Sequence, residues 1–119
     1  MKIIEVFKVL SDLNRLRILN LLYEKELCVC EIEYILEISQ SNLSKHLRQM
    51  NKMGFLESHR ENKFNFYKIS PSVFEEYPFL VDVFEKDLAK DEDLSVELGK
   101  LRDYKKSDQS CYTITAVMK

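Results

Sequence analysis

The chain has 119 residues, of which 45% are hydrophobic and 32% charged, with a formal net charge of −2. This is the make-up of one globular domain, not of a disordered or fibrous chain, and a domain of this size needs no disulfide scaffold to fold. Only two glycines and two prolines disfavour a turn-rich β-sandwich, rule out a glycine-rich phosphate loop and favour long helices.

No apolar run approaches the roughly 18 residues of a spanning helix. Glu5 and Lys8 interrupt the first apolar stretch before a cleavage site, so a soluble, cytoplasmic chain with no membrane partner is expected. Charge is unevenly spread. Residues 40–68 hold six Lys/Arg against two Glu, whereas residues 70–119 hold seven against eleven Asp/Glu. A local basic patch on an acidic chain suits a site-specific DNA binder.

Ile3–Leu10 reads as a short helix, with Ile3, Val6, Phe7 and Leu10 at helical spacing. Ser11 and Asp12 can cap a second helix, Leu13–Tyr23, which is apolar on more than one side and therefore central. A third helix, Cys28–Leu36, follows a short charged connection. Ser39 is the N-cap expected for a fourth, Gln40–Met53, with Gly54 at its C′ position. Leu43, Leu47 and Met50 form the inner face of this fourth helix. At about 100° per residue the opposite face holds Ser41, Lys45, Arg48 and Lys52, a surface able to reach phosphates and bases.

Phe55–Arg60 and Phe64–Ile69 read as two strands joined by Glu61-Asn62-Lys63, a hairpin. Helix, tight link, helix and basic hairpin make a winged helix-turn-helix. The second helix of the pair enters the major groove, and Lys or Arg on the hairpin reaches neighbouring backbone or minor groove. Ser72–Lys90 reads as helix, broken near Tyr77 or restarting at Pro78. Asp91-Glu92-Asp93 precedes a last helix, Leu94–Tyr104. Residues 1–104 are thus expected to form a winged helix-turn-helix domain with C-terminal helices, mainly α with a small β-hairpin wing. Residues 105–119 are expected to be a tail with β propensity.

Leu13-Asn14-Arg15-Leu16-Arg17-Ile18-Leu19, Glu26-Leu27-Cys28-Val29-Cys30-Glu31-Ile32 and Ser39-Gln40-Ser41-Asn42-Leu43-Ser44-Lys45-His46-Leu47 resemble the ArsR/SmtB family. These are dimeric winged-helix repressors that release DNA on binding metal or metalloid ions. The likeness covers roughly residues 3–70, and the Cys-Val-Cys segment resembles the metal box of the arsenical-responsive branch. It implies a homodimer on double-stranded operator DNA, with Ile3, Phe7, Phe79, Val83 and Phe84 at the dimer interface. It places Gln40, Ser41, Ser44, Lys45, Arg48 and Lys52, with Arg60 and Lys63 of the wing, against DNA. No cofactor is needed for DNA binding.

As(III), Sb(III) and Cd(II) prefer soft thiolate ligands, and two nearby thiols chelate better than one. On an ideal helix Cys28 and Cys30 point about 200° apart. Gripping one ion is then expected to unwind the helix start, supplying the differential interaction a switch requires. The arsenical branch often has a further Cys where this chain has Glu33, a poor ligand for As(III), so Cys111 is the candidate third ligand. The cadmium/lead branch uses additional cysteines near the N-terminus, and Met1–Leu27 contains none. The zinc/nickel branch uses His on the long C-terminal helix, and residues 72–104 contain none. His46 is expected to pack beside the fourth helix's apolar stripe, and His59 to be solvated or near phosphate.

The inducer implied is therefore As(III) or Sb(III), with Cd(II) as a further candidate. A repressor answering oxidants or reactive sulfur through Cys28 or Cys30 and Cys111 stays open. So does a small thiol oxidoreductase or metallochaperone, although that reading leaves the basic fourth helix unused. With two histidines and no phosphate loop, no enzyme activity is expected.

Overall fold

The computed structural model describes residues 1–107 and 109–118. Helix α1 (Ile3–Leu10) buries Val6 and Val9 and leaves Ile3, Ile4 and Phe7 exposed. The Asp12 carboxylate accepts the Arg15 N–H at 3.1 Å and starts α2 (Leu13–Glu24). That hydrogen bond holds the Asp12 carboxyl below its usual range. Ile18, Leu19, Leu21 and Leu22 of α2 are all buried, so the helix runs through the middle of the core. The Arg17 guanidinium ties α2 to two other elements, donating to Glu97 at 2.8 Å and to the Leu36 carbonyl at 2.8 Å.

A two-residue strand, β1 (Leu27–Cys28), leads directly into α3 (Val29–Leu36). Glu37, in the left-handed region at φ 54°, ends α3. Ser39 then caps α4 (Gln40–Lys52), and Gly54 follows it at φ +88°, a conformation that suits glycine. Helix α4 buries Leu43, Leu47 and Met50, the face read from their spacing.

Strands β2 (Leu56–Glu61) and β3 (Phe64–Ile69) pair antiparallel, with Glu61 opposite Phe64 at the tip. Strand β1 adds to the other edge of β3, Cys28 opposite Phe66, giving the order β1-β3-β2. The sheet fastens the start of α3 to the wing.

Pro71 opens α5 (Pro71–Glu76). Tyr77 leaves the helical region, and a new helix, α6 (Phe79–Asp82), starts behind Pro78. The break is what a ring without an N–H imposes. A π-helical turn (Val83–Asp87) and a 3₁₀ turn (Leu88–Lys90) continue α6. Asp91 caps α7 (Glu92–Lys106), accepting the Leu94 N–H at 3.0 Å.

The last segment differs from expectation. Residues 111–118 form a helix, α8 (Cys111–Met118), and not a strand. Cys111 and Ile114 are both buried, Ile114 within the main core. Burial of Cys111 and Ile114 stabilises a helix lying on α3. Asp108 and Lys119, also read as tail, lie outside the described residues. No helix among the described residues is long and apolar enough to cross a membrane.

Candidate thiol site and nucleic-acid interface

Three sulfurs converge where β1, α3 and α8 meet. The Sγ atoms of Cys28, Cys30 and Cys111 all lie within 4.8 Å of one another. Cys28 and Cys111 are joined as a disulfide across 83 residues of chain, and Cys30 Sγ lies 2.7 Å from Cys28 Sγ. Cys28 and Cys111 are buried and Cys30 is half-buried. Together with Phe64 and Phe66 they form a small apolar cluster, and Cys30 also packs against the main core.

The expected unwinding of the helix start is not needed. Cys28 is the N-cap of α3, in extended conformation at φ −84° and ψ 162°. Its side chain therefore does not follow the helical rotation that put the two thiols on opposite sides. Strand β1 holds Cys28 there, and a two-residue strand has no periodicity by which the sequence could announce it.

Glu31 fixes the same corner. One carboxylate oxygen accepts the Cys28 N–H at 3.0 Å, the N-cap to N3 half of a capping box. The other accepts the Tyr104 hydroxyl of α7. Both residues are buried, and burial, then the Glu31 hydrogen bond, push the Tyr104 phenol well above its ordinary range. The signal for Glu31 was present as the third residue after the N-cap. Tyr104 carried none.

A pocket of 340 Å³ opens onto Cys28 and Cys30. Its walls come from Cys28, Cys30 and Glu33, from Gln40 and Ser44 of α4, and from Lys63, Phe64 and Asn65 of the wing. Glu33 lines the pocket, but among the described residues the group of mutually close donors is the three sulfurs, and neither His46 nor His59 joins it. Soft and mutually close, with Cys28 and Cys30 lining the pocket, this donor set in its reduced form fits a thiophilic ion.

Of the residues read as facing DNA, Gln40, Ser41, Lys45, Arg48 and Lys52 are exposed on α4, and Ser44 is half-buried beside the pocket. Arg60 and Lys63 are exposed at the wing, where Arg60 Nε donates to the Asn62 carbonyl at 3.1 Å. His46 is half-buried; His59 is exposed and stacks on Phe66.

Ile3, Phe7 and Phe79 are exposed, with the Phe7 and Phe79 rings 6.1 Å apart. Val83 is half-buried. Phe84 does not belong to that surface. It lies in the π-helical turn, is buried and stacks on Tyr23 at 5.1 Å.

Residues 12–58 match the family described as bacterial regulatory protein, arsR family. Over 108 residues the chain is 37% identical to the arsenic resistance transcriptional regulator ArsR1 of Pseudomonas putida, a match covering 88% of this chain and 81% of that protein. The chain belongs to the arsR family. It is also 45% identical over 64 residues to the cadmium resistance transcriptional regulatory protein CadC of Listeria innocua. That match takes in 53% of this chain and 54% of CadC, so the chain spans about half the length of that relative. Among solved structures, the homodimeric winged helix-turn-helix DNA-binding domain of Mb0332 from Mycobacterium bovis has a TM-score of 0.58 and 26% identity. It covers 73% of this chain and is itself covered over 82% of its length. This ArsR-family chain accordingly has the winged helix-turn-helix fold, mainly α with a small antiparallel sheet.

Proposed function

We propose that the chain is a homodimeric, DNA-binding transcriptional repressor that leaves its operator when Cys28, Cys30 and Cys111 bind As(III) or Sb(III). The observation that carries the reading is the convergence of three sulfurs beside α4 and the wing. Helix α4 reads the major groove through Gln40, Ser41, Ser44, Lys45, Arg48 and Lys52, while Arg60 and Lys63 reach the backbone. A second copy covers Ile3, Phe7 and Phe79, so two α4 helices meet successive major grooves of a palindromic site.

The ligand-competent form has three thiols. Two equivalents of a cellular thiol supply the two electrons and two protons that open the Cys28–Cys111 disulfide to two thiols, and are themselves joined as a disulfide. Arsenous acid then exchanges its three As–O bonds for three As–S bonds and three waters leave, with arsenic staying As(III). Three sulfurs and a lone pair complete As(III), whereas Cd(II) calls for a further donor. The likeness to CadC keeps cadmium as the competing ion.

The Cys28–Cys111 disulfide favours a second reading, in which oxidant or reactive sulfur is the signal. One titration separates the two. Protein reduced with a phosphine and desalted (dithiols chelate arsenite) is mixed with a fluorescent fragment of its own upstream DNA. Anisotropy is followed as arsenite, cadmium or zinc is added. Tight binding that arsenite reverses and zinc does not supports the metalloid repressor. Binding that only disulfide or polysulfide donors reverse overturns it in favour of the redox reading.

A further inference from the structure

Helix α8 touches the thiol site and the tip of the wing with consecutive residues. Cys111 meets Cys28. The next residue, Tyr112, accepts a hydrogen bond from Asn62 Nδ2 at 2.6 Å and sets its ring edge-on to Phe64, centroids 4.8 Å apart. Asn62 is the wing-turn residue at φ 57°. It stands between the two basic wing residues, and its carbonyl holds Arg60 Nε. Phe64 shares its apolar cluster with Cys28 and Cys111. Tyr112 itself is 55% exposed, so little of the core depends on it.

We infer that Tyr112 is a positioning residue that turns closure of the three-sulfur site into a restraint on the wing tip. The inference rests on the reading proposed above and names how that site regulates DNA binding. With three separate thiols, no sulfur bond ties the start of α8 to α3, and the wing tip can leave Tyr112 to follow a phosphate. Once sulfur bonds through one ion tie Cys111 to α3, Tyr112 is kept at high effective concentration beside Asn62 and Phe64. Arg60 and Lys63 are then fixed in the conformation seen here. The two states differ in the freedom of the wing, and that difference is what a ligand must act on to shift DNA affinity.

The test compares Tyr112→Ala and Tyr112→Phe with wild type in the full chain, using arsenite as the probe. Two quantities are read: arsenite bound per chain, from loss of titratable thiols, and the ratio of DNA Kd with arsenite to Kd without it. In Tyr112→Ala, arsenite binding and the arsenite-free Kd should stay at wild-type values. The ratio should fall by about tenfold or more. Tyr112→Phe keeps the ring on Phe64 and should retain part of the ratio. A wild-type ratio in Tyr112→Ala overturns the inference, and so does loss of arsenite binding in that variant, because Tyr112 would then serve the site and not the wing. A wild-type protein that binds DNA but ignores arsenite instead fails the reading on which the inference rests, before any variant is compared.

Discussion

Tyr104 and Glu31, 73 residues apart, close a hydrogen-bonded chain that runs from α7 to the backbone of Cys28. The phenol donates to one carboxylate oxygen, and the Cys28 N–H donates to the other. Removing the phenol oxygen by Tyr104→Phe leaves a buried acceptor without its donor, which costs about 1–3 kcal/mol. Denaturant unfolding of the two proteins measures it. The same residue sets a pH dependence. Burial first, then the Glu31 hydrogen bond, raise the Tyr104 phenol, and burial with Glu85 pushes Tyr23 up to about 12. A pKa raised on folding means that the folded chain keeps protons the unfolded chain loses. Their contribution is complete below pH ~10, the unfolded tyrosine value, and is lost as pH rises toward the folded values. Stability should therefore fall from about pH 10 upward in wild type, and less steeply in Tyr104→Phe.

Asp12 shows the opposite sign. Its carboxyl is lowered first by the Arg15 N–H, so its contribution is present above the unfolded carboxylate range and is lost as pH falls through the lowered folded value. Asp12→Ala should cost roughly 1 kcal/mol of stability near neutral pH, the usual size of an N-cap. The gap between the two proteins should narrow in acid, as followed by urea unfolding at several pH values.

On α4, Arg48→Ala or Lys45→Ala should weaken operator binding by about 1–3 kcal/mol if the side chain reaches a base edge. A residue touching phosphate only should instead lose affinity similarly for every sequence and lower the salt slope by ~1. Anisotropy against the operator and a scrambled duplex at several salt concentrations separates the two. Unchanged affinity in both variants would remove α4 from the interface.

The exposed Phe7–Phe79 pair predicts the assembly. Phe7→Glu or Phe79→Glu puts a charge into the proposed dimer contact, and sedimentation should show half the wild-type mass. Phe84→Ala should act differently, because Phe84 stacks on Tyr23 inside the protomer. It should lower stability by about 3–5 kcal/mol, with any loss of dimer following from that.

Cys28→Ser or Cys30→Ser should keep DNA binding and abolish release by arsenite. Cys111→Ser decides between a three-sulfur and a two-sulfur site: release at wild-type arsenite concentrations would remove Cys111 from the ligand set.

Local pattern carried much of the architecture. The spacing of Leu43, Leu47 and Met50 placed the inner face of α4, Asp12, Ser39 and Gly54 marked helix ends, and Pro78 marked a break. Each is a property of a few consecutive residues, set by helical rotation, a side-chain oxygen or a missing N–H. The thiol site was half legible. Cys28 and Cys30 stand out at a spacing of two, but their geometry depends on β1. That strand exists only because β3, some forty residues later, offers it an edge. Cys111 needed a longer reach still. Closing 83 residues of chain onto Cys28 follows from burying Ile114 in the core and laying α8 on α3, an energy spread over long-range contacts that no local window records. For the same reason the sequence named the thiols and the basic helix, while the fold chose their neighbours: Tyr104 behind Glu31, and Tyr112 against the wing.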